Sequence, residues 1–175
     1  IGFFSTFCYQ ALFMYGMKHT AAGDASLMIT FNPLFTAVLA VFFLNEAMHR
    51  RLFFGLLLAF SGVAVLFLAS PNTDIPTADR WLGNVFIAAA ALAWATSTVL
   101  MKKSMSEAPA DADAPLSPLH LTVWASVVGL FILVPWAGVE VWDHGWPTPS
   151  FDAWVGIVFL AVFSTVVAYV WFADG

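Results

Sequence analysis

Two pairs of polar side chains lie near opposite ends of this sequence, each inside an otherwise apolar run. Thr6 and Gln10 form the first pair, and Thr165 and Tyr169 form the second. Residues four apart share one face of a helix. In a membrane, such side chains either line a wet cavity or hydrogen-bond within the helix bundle. The pairs therefore predict two polar helix faces, which border a solute-binding cavity or pack dry against neighbouring helices.

A third polar face lies between these two pairs. Ser26, Thr30 and Pro33 are spaced i, i+4 and i+7, with Asn32 beside the proline. Proline has no N–H and clashes with the preceding turn, so we expect a kink that frees the carbonyl of Ile29. A kink lined by Thr30 and Asn32 is a candidate substrate site or hinge. The alternative, that the proline only shapes packing, is favoured because membrane helices tolerate proline.

Glu46 ends the same apolar run, and Arg50 follows four residues later. We expect a helix-end ion pair between them, because opposite charges at this spacing attract on a helix. The alternative role is proton coupling, but carboxylates that relay protons lie within the membrane. No Asp, Glu, Lys or Arg lies in the middle of any apolar run. The sequence therefore favours the ion pair over a proton carrier.

The elements that hold these residues are predicted to be membrane helices. Of the 175 residues, 61% are hydrophobic and 10% are charged, and the mean hydropathy is +0.86. Soluble domains carry about 25% charged residues. The predicted fold is an all-α polytopic membrane helix bundle, since no run alternates as a membrane strand does. Its six apolar segments, each near the bilayer-spanning length, are Ile1–Met17, Ala25–Leu44, Leu52–Ala69, Trp81–Met101, Leu121–Val139 and Ala153–Ala173.

Several classes of function are disfavoured by the composition. The net charge of −5 gives no basic surface for nucleic acid. The single cysteine, Cys8, rules out an internal disulfide framework and a cysteine-based zinc cluster. No H-E-x-x-H pair, nucleophile elbow or lysine-bearing phosphate loop is present. We therefore expect no enzyme activity, no catalytic residue, no cofactor and no metal.

Basic residues orient the six segments. Arg50 and Arg51 follow the second segment, and Lys102 and Lys103 follow the fourth, whereas the other loops carry only Lys18 and Arg80. Loops rich in Lys and Arg face the cytoplasm. The protein is therefore predicted in the inner (cytoplasmic) membrane, with loops 45–51 and 102–118 cytoplasmic and loops 18–24, 70–81 and 138–151 external.

Two segments of the sequence are similar to each other, which predicts an internal repeat. A shift of 159 residues aligns Phe4–Gly16 with Phe163–Gly175, and five of the thirteen positions are identical. The two segments are an odd number of crossings apart, so they run in opposite directions. This is the behaviour of an inverted-topology repeat, in which the substrate site lies near the midplane between the halves. The chain opens and closes beside apolar runs, which predicts an internal piece of a longer protein.

The stretch PLFTAVLAVFFLNE, Pro33–Glu46, is followed by a glycine-anchored helix in which Gly55 and Gly62 enclose six residues. With the small-residue-rich segment Gly83–Ser104, these motifs resemble the drug/metabolite transporter superfamily, EamA-type. The resemblance implies helices three to eight of a ten-helix transporter made of two inverted repeats. It divides the chain into 1–70, the last three helices of one repeat; 71–81, an external loop; and 82–175, the first three helices of the other.

Small and aromatic residues complete the candidate set. Gly55, Ala59 and Gly62 share one helix face and predict close helix packing. Trp94 lies on a different face from the small-residue row Asn84, Ala88, Ala91, Ala95 and Thr98, and it is a candidate cavity residue. A bilayer-facing or core tryptophan is an equal alternative for that position.

The resemblance implies a transporter that exports or exchanges small metabolites, amino acids or drugs by alternating access. With no charge in mid-helix, neutral, zwitterionic or amphipathic substrates fit better than strongly ionic ones. The expected partners are the lipid bilayer and a small-molecule substrate, with a homodimer as an open alternative. The competing hypothesis is a non-transporting multi-pass scaffold or partner subunit, in which the polar faces pack dry.

Overall fold

The structure is a computed structural model that describes residues 1–69, 74–107, 117–168 and 170–171. Within these ranges all regular elements are helices, and two of them contain π-helical turns. The order is a π-helical segment Phe3–Cys8, α1 (Tyr9–Met17), α2 (Ala22–Ile29), α3 (Asn32–Phe43), α4 (Arg50–Ala69), α5 (Thr77–Ser106), α6 (Pro118–His144), α7 (Phe151–Phe159) and a second π-helical segment Leu160–Val167.

Within the described ranges, three stretches are long and apolar enough to cross a membrane. They are Ala22–Phe43, which comprises α2 and α3, then Thr77–Ser106 and Pro118–His144. Few residues of α6 are buried, so most of the surface of that helix faces outward. The prediction of an all-α membrane helix bundle is confirmed. Helices α5 and α6 extend beyond the predicted segments at both ends, because their polar flanks continue the helix.

Helix α5 is the centre of the bundle. The π-helical segment Phe3–Cys8 and helices α1, α2 and α3 pack against it. Its inward face is rich in alanine, and Ile87, Ala90, Ala91 and Ala95 are fully buried. Small side chains let neighbouring helices approach closely. In a bilayer the hydrophobic effect does not drive helices together, so the dispersion contacts of this close packing stabilise the bundle instead.

Two glycines, among others, lie at close helix contacts. A Cβ added to Gly83 of α5 would lie 2.8 Å from the carbonyl oxygen of Gly16 in α1. A Cβ added to Gly129 of α6 would overlap the side chain of Thr6. At both places only glycine fits, so these contacts fix how α1 and α6 sit in the bundle.

The second predicted segment is two helices rather than one kinked helix. Helix α2 ends at Ile29 and α3 begins at Asn32, which leaves Thr30 and Phe31 in the break. Pro33 lies in the first turn of α3, where its missing N–H removes no helical hydrogen bond. The proline therefore starts a new helix, and the prediction of a simple kink at Pro33 is corrected to a break.

Helix α7 differs from the others because its surface is open. Every side chain from Phe151 to Phe163 is exposed. Among the described elements, α7 packs to any extent only on its own continuation, Leu160–Val167.

In α6, Pro135 is accommodated inside the helix, and Gly145 ends it with a positive φ of 81°.

Candidate functional site: a cleft between α2–α3 and α4

An open cleft of about 730 Å³ separates the broken helix α2–α3 from α4. Residues between Leu27 and Ala37 line one wall, and residues between Arg51 and Val65 line the other. Most of the lining side chains are aliphatic, aromatic or glycine. A concave apolar site with few polar groups is the usual form of a small-molecule site.

The helix break places Thr30 at the wall of this cleft. The N–H groups of Thr30 and Phe31 donate to the carbonyls of Leu27 and Met28, both at 3.2 Å. These bonds join residues three apart, so α2 ends in a turn that is tighter than an α-helical turn. The Thr30 hydroxyl donates to the carbonyl of Leu27 at 2.6 Å. A hydroxyl that donates in this way can still accept a hydrogen bond from a ligand.

The two residues after the break face different surroundings. Pro33 lines the cleft beside Thr30. Asn32 is half-buried, and its Oδ1 atom is buried without a hydrogen-bond partner in the described part of the chain. An unsatisfied buried carbonyl costs about 1–3 kcal/mol. The break therefore contains one buried polar atom without a partner among the described residues.

The predicted packing face of α4 is open among the described residues. A Cβ added to Gly55 or Gly62 would meet no atom within 4 Å, and both glycines line the cleft together with Ala59. The contact between α3 and α4 is slight. The small side chains therefore leave room in front of α4 in this part of the chain, and close packing on this face stays a prediction.

The predicted ion pair between Glu46 and Arg50 is also corrected. Glu46 Oε1 accepts from Lys102 Nζ at 2.5 Å. Helix α3 ends at Phe43, and Asn45 takes a left-handed φ of 52°, so Glu46 and Arg50 do not lie on one continuous helix. The carboxylate instead reaches the last turns of α5.

A second ion pair, at the opposite end of the same two helices, was missed. Arg80 Nε donates to Asp24 Oδ2 at 2.9 Å, and these side chains are only 14% and 8% exposed. Nearby, the buried Thr20 hydroxyl donates to Asn84 Oδ1 at 2.5 Å. Both ion pairs join residues 56 positions apart. This shared spacing shows that α2–α3 and α5 run parallel, and it is a signal that the sequence contained.

The two symmetric polar faces are not brought together among the described residues. Thr6 packs on Gly129, and Gln10 is exposed. Thr165 is exposed and donates to the carbonyl of Leu160 in its own segment at 3.2 Å. Tyr169 lies outside the described residues. A cavity shared by these faces therefore stays a prediction.

Trp94 lies between α5 and α1. Its ring contacts that of Tyr9, with the centroids 5.2 Å apart. This aromatic pair contributes to the packing of α1 on α5, and Trp94 is not among the residues that line the α2–α3/α4 cleft. Of the predicted cavity residues, the cleft brings together Thr30 and Pro33.

The similarity of this chain to known proteins identifies its family. The model of the EamA-like transporter family matches residues 1–68 and 81–175. The chain belongs to the EamA-like transporter family. This confirms the resemblance drawn from Pro33–Glu46 and the glycines of α4. No solved structure matches the chain significantly.

The relatives of this EamA-family chain are named as transporters. It is 26% identical to an uncharacterized transporter, YetK, of Bacillus subtilis, over 98% of this chain and 50% of that protein. It is 30% identical to a probable terminal-alkyne amino-acid exporter of Streptantibioticus cattleyicolor, over 93% and 50%. It is 28% identical to a probable amino-acid metabolite efflux pump of Escherichia coli K12, over 85% and 48%. The chain spans about half the length of the curated relatives it matches.

Proposed function

We propose that the protein is a transporter that moves small amphipathic metabolites out of the cell, or exchanges them, across the cytoplasmic membrane by alternating access. The observation that carries this proposal is the cleft of about 730 Å³ at the break of a membrane helix. Membership of the EamA-like family and relatives named as exporters or efflux pumps support it. No catalytic role is assigned to any residue.

The broken helix suits a transported solute for a physical reason. Transporter sites often lie where a membrane helix is discontinuous, because the ends of half-helices present unpaired backbone groups to the ligand. The N-terminus of α3 also carries the positive end of a helix dipole. Thr30 and Pro33 border the cleft at this break. A solute with a polar group is thus held in an otherwise apolar membrane interior.

Alternating access also needs two halves that can move relative to each other. We propose that 1–70 and 82–175 are the adjoining parts of two inverted repeats, joined through 71–81. Helix α4 is held loosely on α3, whereas α1, α2 and α3 pack on α5. The cleft therefore lies within 1–70, between the loosely packed α4 and the helices that pack on α5 of the other half, where a small movement of α4 changes access.

The test is transport by the full-length protein in proteoliposomes loaded with a panel of radiolabelled small amphipathic metabolites, which includes apolar amino acids, their derivatives and apolar monocarboxylates. Gly55→Leu places a large side chain in the cleft, at a position where a Cβ meets no atom within 4 Å. We expect at least a tenfold lower transport rate with unchanged protein yield. Gly138→Leu, at an equally open glycine of α6, is the matched control and retains the wild-type rate.

Two outcomes of this test contradict the proposal. If wild-type protein moves none of the panel, the non-transporting scaffold or partner subunit becomes the better hypothesis. If Gly55→Leu and Gly138→Leu transport equally well, the solute does not pass through this cleft.

A further inference from the structure

We propose that the α2–α3/α4 cleft selects amphipathic monocarboxylates, and that Arg51 binds the carboxylate at one end of the cleft. This inference rests on the proposed transport function and names the substrate class of that same site. It assigns Arg51 as the residue that determines specificity.

The chemistry of the lining leads to this class of ligand. Among the described residues that line the cleft, only Thr30 and Arg51 have polar side chains, and Arg51 carries the single charge. Within the described part of the chain, Arg51 forms no ion pair, whereas Lys102 is paired with Glu46. A guanidinium binds a carboxylate through two parallel hydrogen bonds. One cation without a protein counter-ion matches a ligand with one negative charge.

The position of Arg51 on α4 places that charge beside the apolar space. Arg51, Gly55, Ala59 and Gly62 follow one another at three- or four-residue spacing and line the same cleft. The stripe of small residues extends about 16 Å from Arg51, at about 1.5 Å per residue. A ligand whose acid group reaches Arg51 therefore lays its apolar body along Gly55 and Ala59. The positive N-terminal end of α4 adds to the attraction for an anion.

The same lining disfavours cationic and dianionic ligands. No Asp or Glu lines the cleft among the described residues, so an ammonium group finds no counter-ion there. Arg51 itself is exposed, but a second negative charge farther along the cleft would enter apolar surroundings without a partner, which is costly in a low-dielectric site. An apolar acid is therefore preferred to an amide of the same shape, and the amide to the corresponding amine.

The experiment measures binding directly, so that it is independent of transport. Full-length protein in nanodiscs of neutral phosphatidylcholine is titrated with octanoate, octanamide and octylamine, and intrinsic tryptophan fluorescence reports the binding. We expect octanoate to bind at least tenfold more tightly than octanamide, with octylamine weakest. Arg51→Gln lowers octanoate affinity at least tenfold and leaves octanamide affinity unchanged, whereas Arg51→Lys retains part of the preference.

Arg50→Gln is the matched control, because Arg50 is adjacent in sequence but does not line the cleft. It leaves the preference for octanoate unchanged. Gly55→Leu weakens octanoate and octanamide equally, since it removes space rather than charge. These variants separate the role of Arg51 from general damage to the cleft.

Three results overturn the proposal. They are equal affinity for octanoate and octanamide, loss of both ligands in Arg51→Gln, and retention of octanoate by Arg51→Gln with loss of co-purified anionic phospholipid. The last result would assign the cleft to a lipid. If octanoate binds as expected but no solute is transported, the assignment of Arg51 stands and the proposed transport function fails.

Discussion

The two ends of the α2–α3/α5 helix pair are joined by the same kind of bond in opposite surroundings. At the Asp24 end, the ion pair with Arg80 is nearly buried, and the buried Thr20–Asn84 hydrogen bond lies beside it. At the Glu46 end, the carboxylate and the Lys102 ammonium are 44% and 65% exposed. The residues between Leu44 and His49 are not helical there. One end is enclosed by protein, and the other meets solvent.

The two ends differ in how much free energy is needed to separate them. Breaking a buried pair leaves an uncompensated charge and costs about 3–5 kcal/mol. Breaking an exposed pair costs about 0–1 kcal/mol, because water solvates both ions. We therefore expect the Asp24 end to stay closed and the Glu46 end to open and close during transport. Arg51, on the α4 wall of the cleft, follows that mobile end closely in sequence.

The largest expected effect comes from the close helix contact at the Asp24 end. Gly83→Leu places a side chain 2.8 Å from the backbone of Gly16 and 2.7 Å from Cβ of Thr20. Since backbone atoms cannot yield, α1 and α5 must separate, and we expect loss of folded protein on size-exclusion chromatography. Gly156→Leu, at an open glycine of α7, is the control and elutes as wild type. Normal folding of Gly83→Leu would contradict this contact.

Removal of charge at the Asp24 end comes next. Asp24→Asn keeps the shape of the side chain and leaves the Arg80 guanidinium, 14% exposed, without its carboxylate. We expect a loss of about 3 kcal/mol in the free energy of unfolding, measured by denaturant titration in detergent micelles. A loss equal to that of Glu46→Gln would show that the two ends do not differ.

The smallest effect on stability is expected at the Glu46 end. Glu46→Gln breaks the exposed pair with Lys102 and changes the free energy of unfolding by about 0–1 kcal/mol. The transport rate should change by a larger factor, because the weakened contact alters how often this end opens. The charge exchange Glu46→Lys with Lys102→Glu should restore the wild-type rate. An unchanged rate in Glu46→Gln would count against movement at this end.

Much of the fold could be predicted from local composition. Charge-free runs of bilayer length and their basic flanks predicted helices and their relative directions, because membrane helices satisfy their own backbone. The family resemblance also came from local spacing, between Pro33 and Glu46 and between Gly55 and Gly62. Gly129 was expected to allow close packing because it shares a face with Thr122 and Ser126, whereas Gly83 gave no comparable signal, since a close approach depends on which helix lies opposite.

The site was harder to predict because it depends on which residues meet across helices. The Glu46–Arg50 pair was expected from helical spacing, but the helix ends at Phe43 and the carboxylate binds Lys102. The stripe Gly55–Ala59–Gly62 was predicted as one face, and among the described residues that face borders a cleft, which the spacing alone did not predict. Thr30 and Pro33 were predicted from the sequence because a proline distorts a membrane helix whichever helices pack on it. A polar side chain beside the distortion is then a candidate for the site.

We expect the transported solute to occupy the cleft at the helix break. The most direct test is labelling of a Thr30→Cys variant of the full-length protein in a cysteine-free background that includes Cys8→Ser, with Gly138→Cys as the control. We predict that a membrane-impermeant maleimide labels Thr30→Cys, and that octanoate slows this reaction at least tenfold without changing the labelling of Gly138→Cys. Labelling of Thr30→Cys that octanoate leaves unchanged, or no labelling at all, would contradict the claim.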